Sequence, residues 1–185
     1  MNDSQIDSEE IVTFWFSEPV MKKWFNSTPE FDDEIRQRFE PVYKQAKQGL
    51  LDSWKDTATG CLALVILFDQ FPLNMYRGKK QSFATEARSR EVAEHAIAKS
   101  FDKQLSDNQK AFIYMPYMHS ENMADQERSV ALYEKAKLNN NIRFARHHRD
   151  IVQRFGRFPH RNKILGRQST DEELIYLQSK EAFHG

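Results

Sequence analysis

The stretch TPEFDDEIRQRFEPVYKQAKQG, residues 28–49, decides the fold class. Its apolar residues Phe31, Ile35, Phe39, Val42 and Ala46 recur in steps of four, four, three and four, so all five share one stripe of an α-helix. A strand would need the two-residue alternation that this stretch lacks. Thr28 is a good N-cap and Pro29 suits the first turn, with Glu30, Asp32 and Asp33 at the positive end of the helix dipole. Pro41 is expected to kink or split this helix, and Gly49 to end it.

The same period extends in both directions. EEIVTFWF (9–16) reads as a short helix with Ile11, Phe14 and Trp15 inward, and a further helix runs from about Thr59 to Phe71, stopped by Pro72. Ser82 is placed to cap a helix reaching about Lys99. Ser106 is placed to cap another that Pro116 should bend, and Asn122 one that the Asn139–Asn141 triplet closes off. The next helix ends at Gly156, a basic loop follows, and Thr170 with Glu173 forms a capping box for the last. No alternating stretch of useful length appears. The expectation is an all-α chain of seven to eight helices in antiparallel pairs, one domain over residues 1–185.

Composition agrees with that class. The 185 residues are 39% hydrophobic and 29% charged, with only 6 Gly and 6 Pro, as long amphipathic helices require. The single cysteine, Cys61, cannot form an intramolecular disulfide and lies in an apolar run, so it is expected to be buried and inert. The acidic start MNDSQIDSEE is unlike a secretion signal, and CLALVILF (61–68) falls far short of the roughly 20 residues that span a bilayer. A soluble cytoplasmic protein without membrane contact is expected.

The formal net charge of zero conceals an asymmetry. Residues 1–40 carry ten acids, Asp3 among them, against four bases, whereas residues 143–167 carry eight bases against Asp150 alone. Either the two ends neutralise each other or the basic segment faces an anionic ligand.

Polar residues on apolar stripes are the candidates for chemistry. Phe144, His148, Ile151 and Phe155 share one stripe, while His147 joins Arg143, Asp150 and Arg154 on a polar one. Phe112, Met115 and His119 share another, as do Leu62, Ile66 and Asp69. Two readings fit. In the first, each is a core polar group satisfied by a local partner. Alternatively they converge on a pocket, where His119 or His148 acts as general acid or base and Asp69 orients an imidazole. No ligand spacing such as His-Glu-x-x-His occurs, so no metal site is expected, and Ser120 lacks the elbow of a hydrolase nucleophile. A sequence pI near 7 and the absence of a recognisable nucleic-acid motif argue against nucleic acid. Arginines on a loop beside a helix end suit a small phosphate or carboxylate.

Three segments, LFDQFPLNMYRG (67–78), YMPYMHSENMADQ (114–126) and RFGRFPHRNKILGRQSTDEE (154–173), together resemble the bacterial family known as domain of unknown function 924. The resemblance covers nearly the whole chain and rests above all on Gly-Arg-Phe-Pro-His-Arg-Asn followed by Leu-Gly-Arg. It implies an all-helical, tetratricopeptide-like right-handed array, and it implies no reaction or cofactor. Carried over by motif, the candidate acid–base residues are Asp69, His119 and His148. The candidate ligand contacts are Gln70, Asn74, Glu121, Gln126, Arg154, Arg157, His160, Arg161 and Asn162. Leu73 stands where the family pattern carries Arg, so any anion contact from that position is lost here. The implied function is either binding of a small anionic metabolite, with acid–base or hydrolytic chemistry, or a non-catalytic interaction module for a peptide.

Overall fold

Thr28 does cap the helix that follows it: its hydroxyl accepts from Phe31 N–H at 3.3 Å, and the helix runs unbroken over Pro29–Lys47. Pro41 neither splits nor ends it, and Phe31, Ile35, Phe39, Val42 and Ala46 are all buried on one face. This computed structural model describes residues 6–184, so Asp3 lies outside the described residues. Every regular element among them is helical. Eight α-helices have seven residues or more: α1 Ser8–Trp15, α3 Pro29–Lys47, α4 Ala58–Val65, α6 Glu86–Ala98, α7 Asp107–Met118, α8 Met123–Lys135, α9 Asn139–Phe155 and α11 Asp171–Leu177. Three single turns, α2 Glu18–Met21, α5 Phe71–Met75 and α10 Asn162–Leu165, raise the number to eleven, because isolated turns carry too few residues to show a period.

The described residues fall into two compact units. The first holds the chain up to Arg77 together with Gln81–Pro116. The second holds Gly78–Lys80 and everything from Tyr117 onward.

In the first unit the core is aromatic. Phe14 and Phe39 lie 4.8 Å apart, Phe39 and Phe71 4.7 Å, and Trp24 and Phe112 4.7 Å, separations at which edge and offset contacts are favourable. The most buried helical stretch runs from Ala58 to Met75 and is not stopped by Pro72. Instead, Ile66–Gln70 widens into a π-turn, in which Phe71 N–H reaches back five residues to Ile66 C=O. Proline leaves the carbonyl four residues earlier without its donor. That carbonyl, on Phe68, accepts from the Thr85 hydroxyl at 2.7 Å. Thr85 therefore serves this helix and does not cap α6. Ser82, read as that cap, lies in a 3₁₀ turn and donates to Tyr76 C=O. Ala58–Met75 is long and apolar enough to cross a bilayer by length and composition, but 83% of it is buried inside the fold. Gly60 is required there, since a Cβ would stand 1.9 Å from Trp54 C=O. Cys61 is buried, and burial pushes its thiol up to about 11.

In the second unit α8 and α9 pack along each other across the short turn at residues 136–138, which makes them an antiparallel hairpin. Asn122 caps α8 through Ala124 and Asp125 N–H. The Asn139–Asn141 triplet does not separate the helices but forms the first turn of α9. The chain reverses one step earlier, at Lys137, with φ +57°. The buried face of α9 is Ala145, His148, Ile151 and Val152, one position round from the expected stripe, and Phe144 is 51% exposed. Gly156 ends α9 in the left-handed conformation at φ +70°, and the Thr170–Glu173 capping box opens α11.

Candidate functional site

The predicted residues divide between the units. Asp69 and Gln70 sit in the π-turn of the first, both buried, with the Gln70 amide donating to Asp69 Oδ2 and to Met115 Sδ at 3.2 Å. Asn74 donates to Asp32 Oδ1 at 2.7 Å and to Ser27 Oγ at 3.1 Å, part of the network in which Arg77 also binds Asp32. The remaining candidates belong to the second unit, where they can be followed outward from α9.

His148 lies on the buried face of α9, 4% exposed. Its Nδ1–H donates to Phe144 C=O one turn back at 2.8 Å, a bond open to any helical histidine whose ring folds toward the N-terminus. That bond fixes the tautomer and leaves Nε2 with a free lone pair. Burial, then the charge of His119, outweighs the Phe144 bond and drives the His148 pKa from 6.5 to about 3, so the ring is neutral at pH 7. Around it stand His119 at 6.5 Å between ring centroids, His147 at 6.2 Å and Phe158 at 5.6 Å. His160 stands 5.7 Å from Phe158 on the other side. Burial first, then the Arg161 charge, also brings His160 down to about 3. Its Nδ1 is buried and makes no hydrogen bond among the described residues. Arg161 itself is 6% exposed, with its guanidinium 4.8 Å over the Phe158 ring.

The turn carrying His119 is held from below. Gln126, fully buried, donates to Met118 C=O at 2.7 Å and Ser120 C=O at 2.6 Å, which gives it a positioning role, while its Oε1 accepts no hydrogen bond among the described residues. Glu121 accepts from Phe158 N–H at 2.8 Å and takes both arms of Arg167 at 2.6 and 2.8 Å. Burial raises the Glu121 pKa, but hydrogen bonds from Arg167 and Phe158 and the nearby guanidinium charges outweigh it and hold the carboxyl below its ordinary value.

Most of the basic loop is neutralised within this unit. Arg154 pairs with Glu172 at 2.8 Å. Arg157 grips Glu173 with two bonds of 2.7 and 2.8 Å, and that carboxylate, 2% exposed, also accepts from Asn162 and Thr170 N–H. The Arg157 bonds come first among the causes that bring Glu173 to about 2. Asn162 is further tied to Ser169 and Arg167. The acids of the first unit have their own partners in turn, with Glu10 on Arg38 and Asp32 on Arg77. Each of these named pairs lies within a single unit.

Two residues outside the candidate set complete the site. Arg167 stands out in the sequence only as one of the eight bases of residues 143–167 and as the last letter of Leu-Gly-Arg. Phe183, beyond α11, packs its ring 4.5 Å from His148, 5.0 Å from His160 and 6.5 Å from His147, and no period or motif marks it. Alongside, an open depression of about 560 Å³ is lined by Asn139, Ile142, Arg143, Arg146, His147 and Asp150. No group of three or more His, Cys, Asp or Glu side chains is placed to hold a metal ion among the described residues.

A helical protein whose second unit surrounds an aromatic ring with imidazoles, braced by two bidentate Arg–Glu pairs, is the class so defined. The model of the bacterial proteins of unknown function DUF924 matches residues 11–181, and the chain belongs to that family. It is similar in structure to the protein of unknown function ATU0120 from Agrobacterium tumefaciens, with 39% identity and a TM-score of 0.88 over 92% of this chain and 96% of that one. No curated protein matches.

Proposed function

We propose that the chain is a cytoplasmic binding protein for a small anionic metabolite, held at the imidazole cluster of the second unit. The observation that carries this reading is the His160 Nδ1 atom, buried and without a hydrogen bond, beside the buried cation Arg161. A buried polar atom left unsatisfied costs about 1–3 kcal/mol, and a ligand that bonds to it recovers that cost. Arg161 supplies charge to the anion. His160, as its Nδ1–H tautomer, donates to it, and His148 Nε2 accepts from a hydroxyl or a protonated oxygen of the same ligand. Arg154 and Arg157, committed to Glu172 and Glu173, brace the loop and do not meet the anion. His119, only half-buried and next to His148, is the group with solvent access through which a proton on the bound ligand can be exchanged.

Titration of the protein with inorganic phosphate and with simple carboxylates tests this. Binding at 100 times Kd adds about 2.7 kcal/mol of stability, a rise in Tm of roughly 5–10 °C for a chain of this size. Arg161→Met abolishes the rise and Arg154→Ala leaves it in place. No shift with any of these anions refutes the reading.

A second reading has its own support. The α8–α9 hairpin is the kind of unit from which a tetratricopeptide-like right-handed array is built, and the open depression on α9 adjoins the exposed Phe144 in sequence. Such a surface suits a peptide. Binding of acidic peptides that Arg143→Ala weakens, with no response to small anions, favours it.

A further inference from the structure

Phe183 is held in an unusual way. Its ring meets three imidazoles at once, at 61° to His148, 85° to His160 and 81° to His147, so that each contact is of the edge-to-face kind. Aromatic pairs in this geometry are favoured by their quadrupoles, a preference that a saturated side chain of equal size does not share. The seat is therefore built for a ring and not merely for an apolar group. By contrast, the segment that delivers the ring is lightly tied. It follows α11 without regular structure. Beyond the turn bonds of Gln178 and Ser179 N–H to Ile175 and Tyr176 C=O, at 3.2 and 2.9 Å, its hydrogen bonds include Phe183 N–H to the Tyr176 hydroxyl at 3.0 Å, that hydroxyl to Glu181 C=O at 3.4 Å, Glu181 N–H to Ser179 Oγ at 3.3 Å and Ala182 N–H to Ser179 C=O at 3.3 Å. Phe183 remains only partly buried. A specific seat on a weakly fastened occupant is the arrangement of an intramolecular competitor.

The chemistry next to the seat says what it competes with. His160, in contact with the Phe183 ring, presents the unpartnered Nδ1, and Arg161 beside it is a buried cation. We infer that the ligand is an aromatic carboxylate whose ring takes the place of Phe183 between His148 and His160 and whose carboxylate lies against His160 and Arg161. Phe183 is its built-in rival. The carboxylate half of this inference rests on the anion reading above, whereas the ring half rests on the seat alone.

Calorimetry on the full chain and on Phe183→Ala tests it with three probes: 3-phenylpropionate (ring and anion), 3-phenylpropanol (ring without anion) and inorganic phosphate (anion without ring). A tethered occupant acts at an effective concentration on the order of millimolar, so its removal should tighten 3-phenylpropionate binding about tenfold or more and leave phosphate binding within about twofold. The alcohol should bind more weakly than the acid in both proteins. Phosphate binding without any gain for 3-phenylpropionate overturns the inference and leaves the anion reading standing. Equal binding of alcohol and acid, with no phosphate binding, overturns both. Should Phe183→Ala fold poorly, the unaltered chain decides: saturating 3-phenylpropionate must abolish nuclear Overhauser contacts between Phe183 and His148, and their persistence in the saturated protein refutes displacement.

Discussion

Replacing Glu121 with alanine asks whether the basic loop is held by its own acids. The side chain accepts Phe158 N–H and both arms of Arg167, so its loss strands two sets of donors at once. Exposed ion pairs are worth about 0–1 kcal/mol, and breaking a buried one costs about 3–5 kcal/mol. Glu121 and Arg167 are 25% and 24% exposed, between those limits, so the expected loss is about 2–3 kcal/mol. For a chain of this length that is a fall in Tm of roughly 5–10 °C. Glu172→Ala is the internal standard, since the Glu172–Arg154 pair is 60% and 51% exposed and should cost less than about 1 kcal/mol. Calorimetric melting of both variants, with an Arg167→Ala double-mutant cycle, isolates the coupling. Equal shifts for Glu121→Ala and Glu172→Ala, or additivity of Glu121→Ala with Arg167→Ala, would refute the claim that this pair fastens the loop.

Two further outcomes follow from the same geometry. Acid should weaken the fold in two windows: His148 and His160 have folded pKa values near 3 against an ordinary 6.5, so the unfolded chain binds more protons and their contribution is lost as pH falls from 6.5 toward 3. Glu173, at about 2 against 4.5, adds a loss between those values. The groups acting on the two imidazoles are His119, His147, His184, Arg161 and Glu121, and His160 also acts on His148. Urea midpoints at pH 7 and pH 5 should differ, and His148→Gln should flatten that slope; an unchanged slope contradicts the assignment. Thr85→Val removes the donor that serves the Phe68 carbonyl left open by Pro72 and should cost about 1–3 kcal/mol, with Thr85→Ser restoring most of it. A neutral Thr85→Val would mean that the π-turn needs no outside donor.

The helices were legible because their period and caps are local. Thr28, Asn122, Gly156 and the Thr170–Glu173 box act within four residues of themselves, and all do what the sequence predicts. Two of the differences, at Pro72 and Ser82, share one cause, a partner beyond the reach of a local cap. Pro72 should end a helix by its own chemistry, and it does not because Thr85 and a π-turn accommodate it. Ser82 has the chemistry of a cap, yet its hydroxyl is taken by Tyr76 C=O.

The basic loop shows the same limit in its charge. Eight bases against one acid over residues 143–167 invite an anion only if the acids are counted inside the same window. Glu121 lies 46 residues before Arg167 and Glu173 lies 16 after Arg157, so the neutralising carboxylates fall outside it. Beside the imidazoles lies Arg161, a buried residue that sequence alone ranks no differently from Arg154 or Arg157. The chemistry of the site thus turns on burial and ring contact, properties that belong to the folded chain. Phe183 is the clearest instance, since a residue after the last helix brings its ring against three histidines that the sequence does not connect to it.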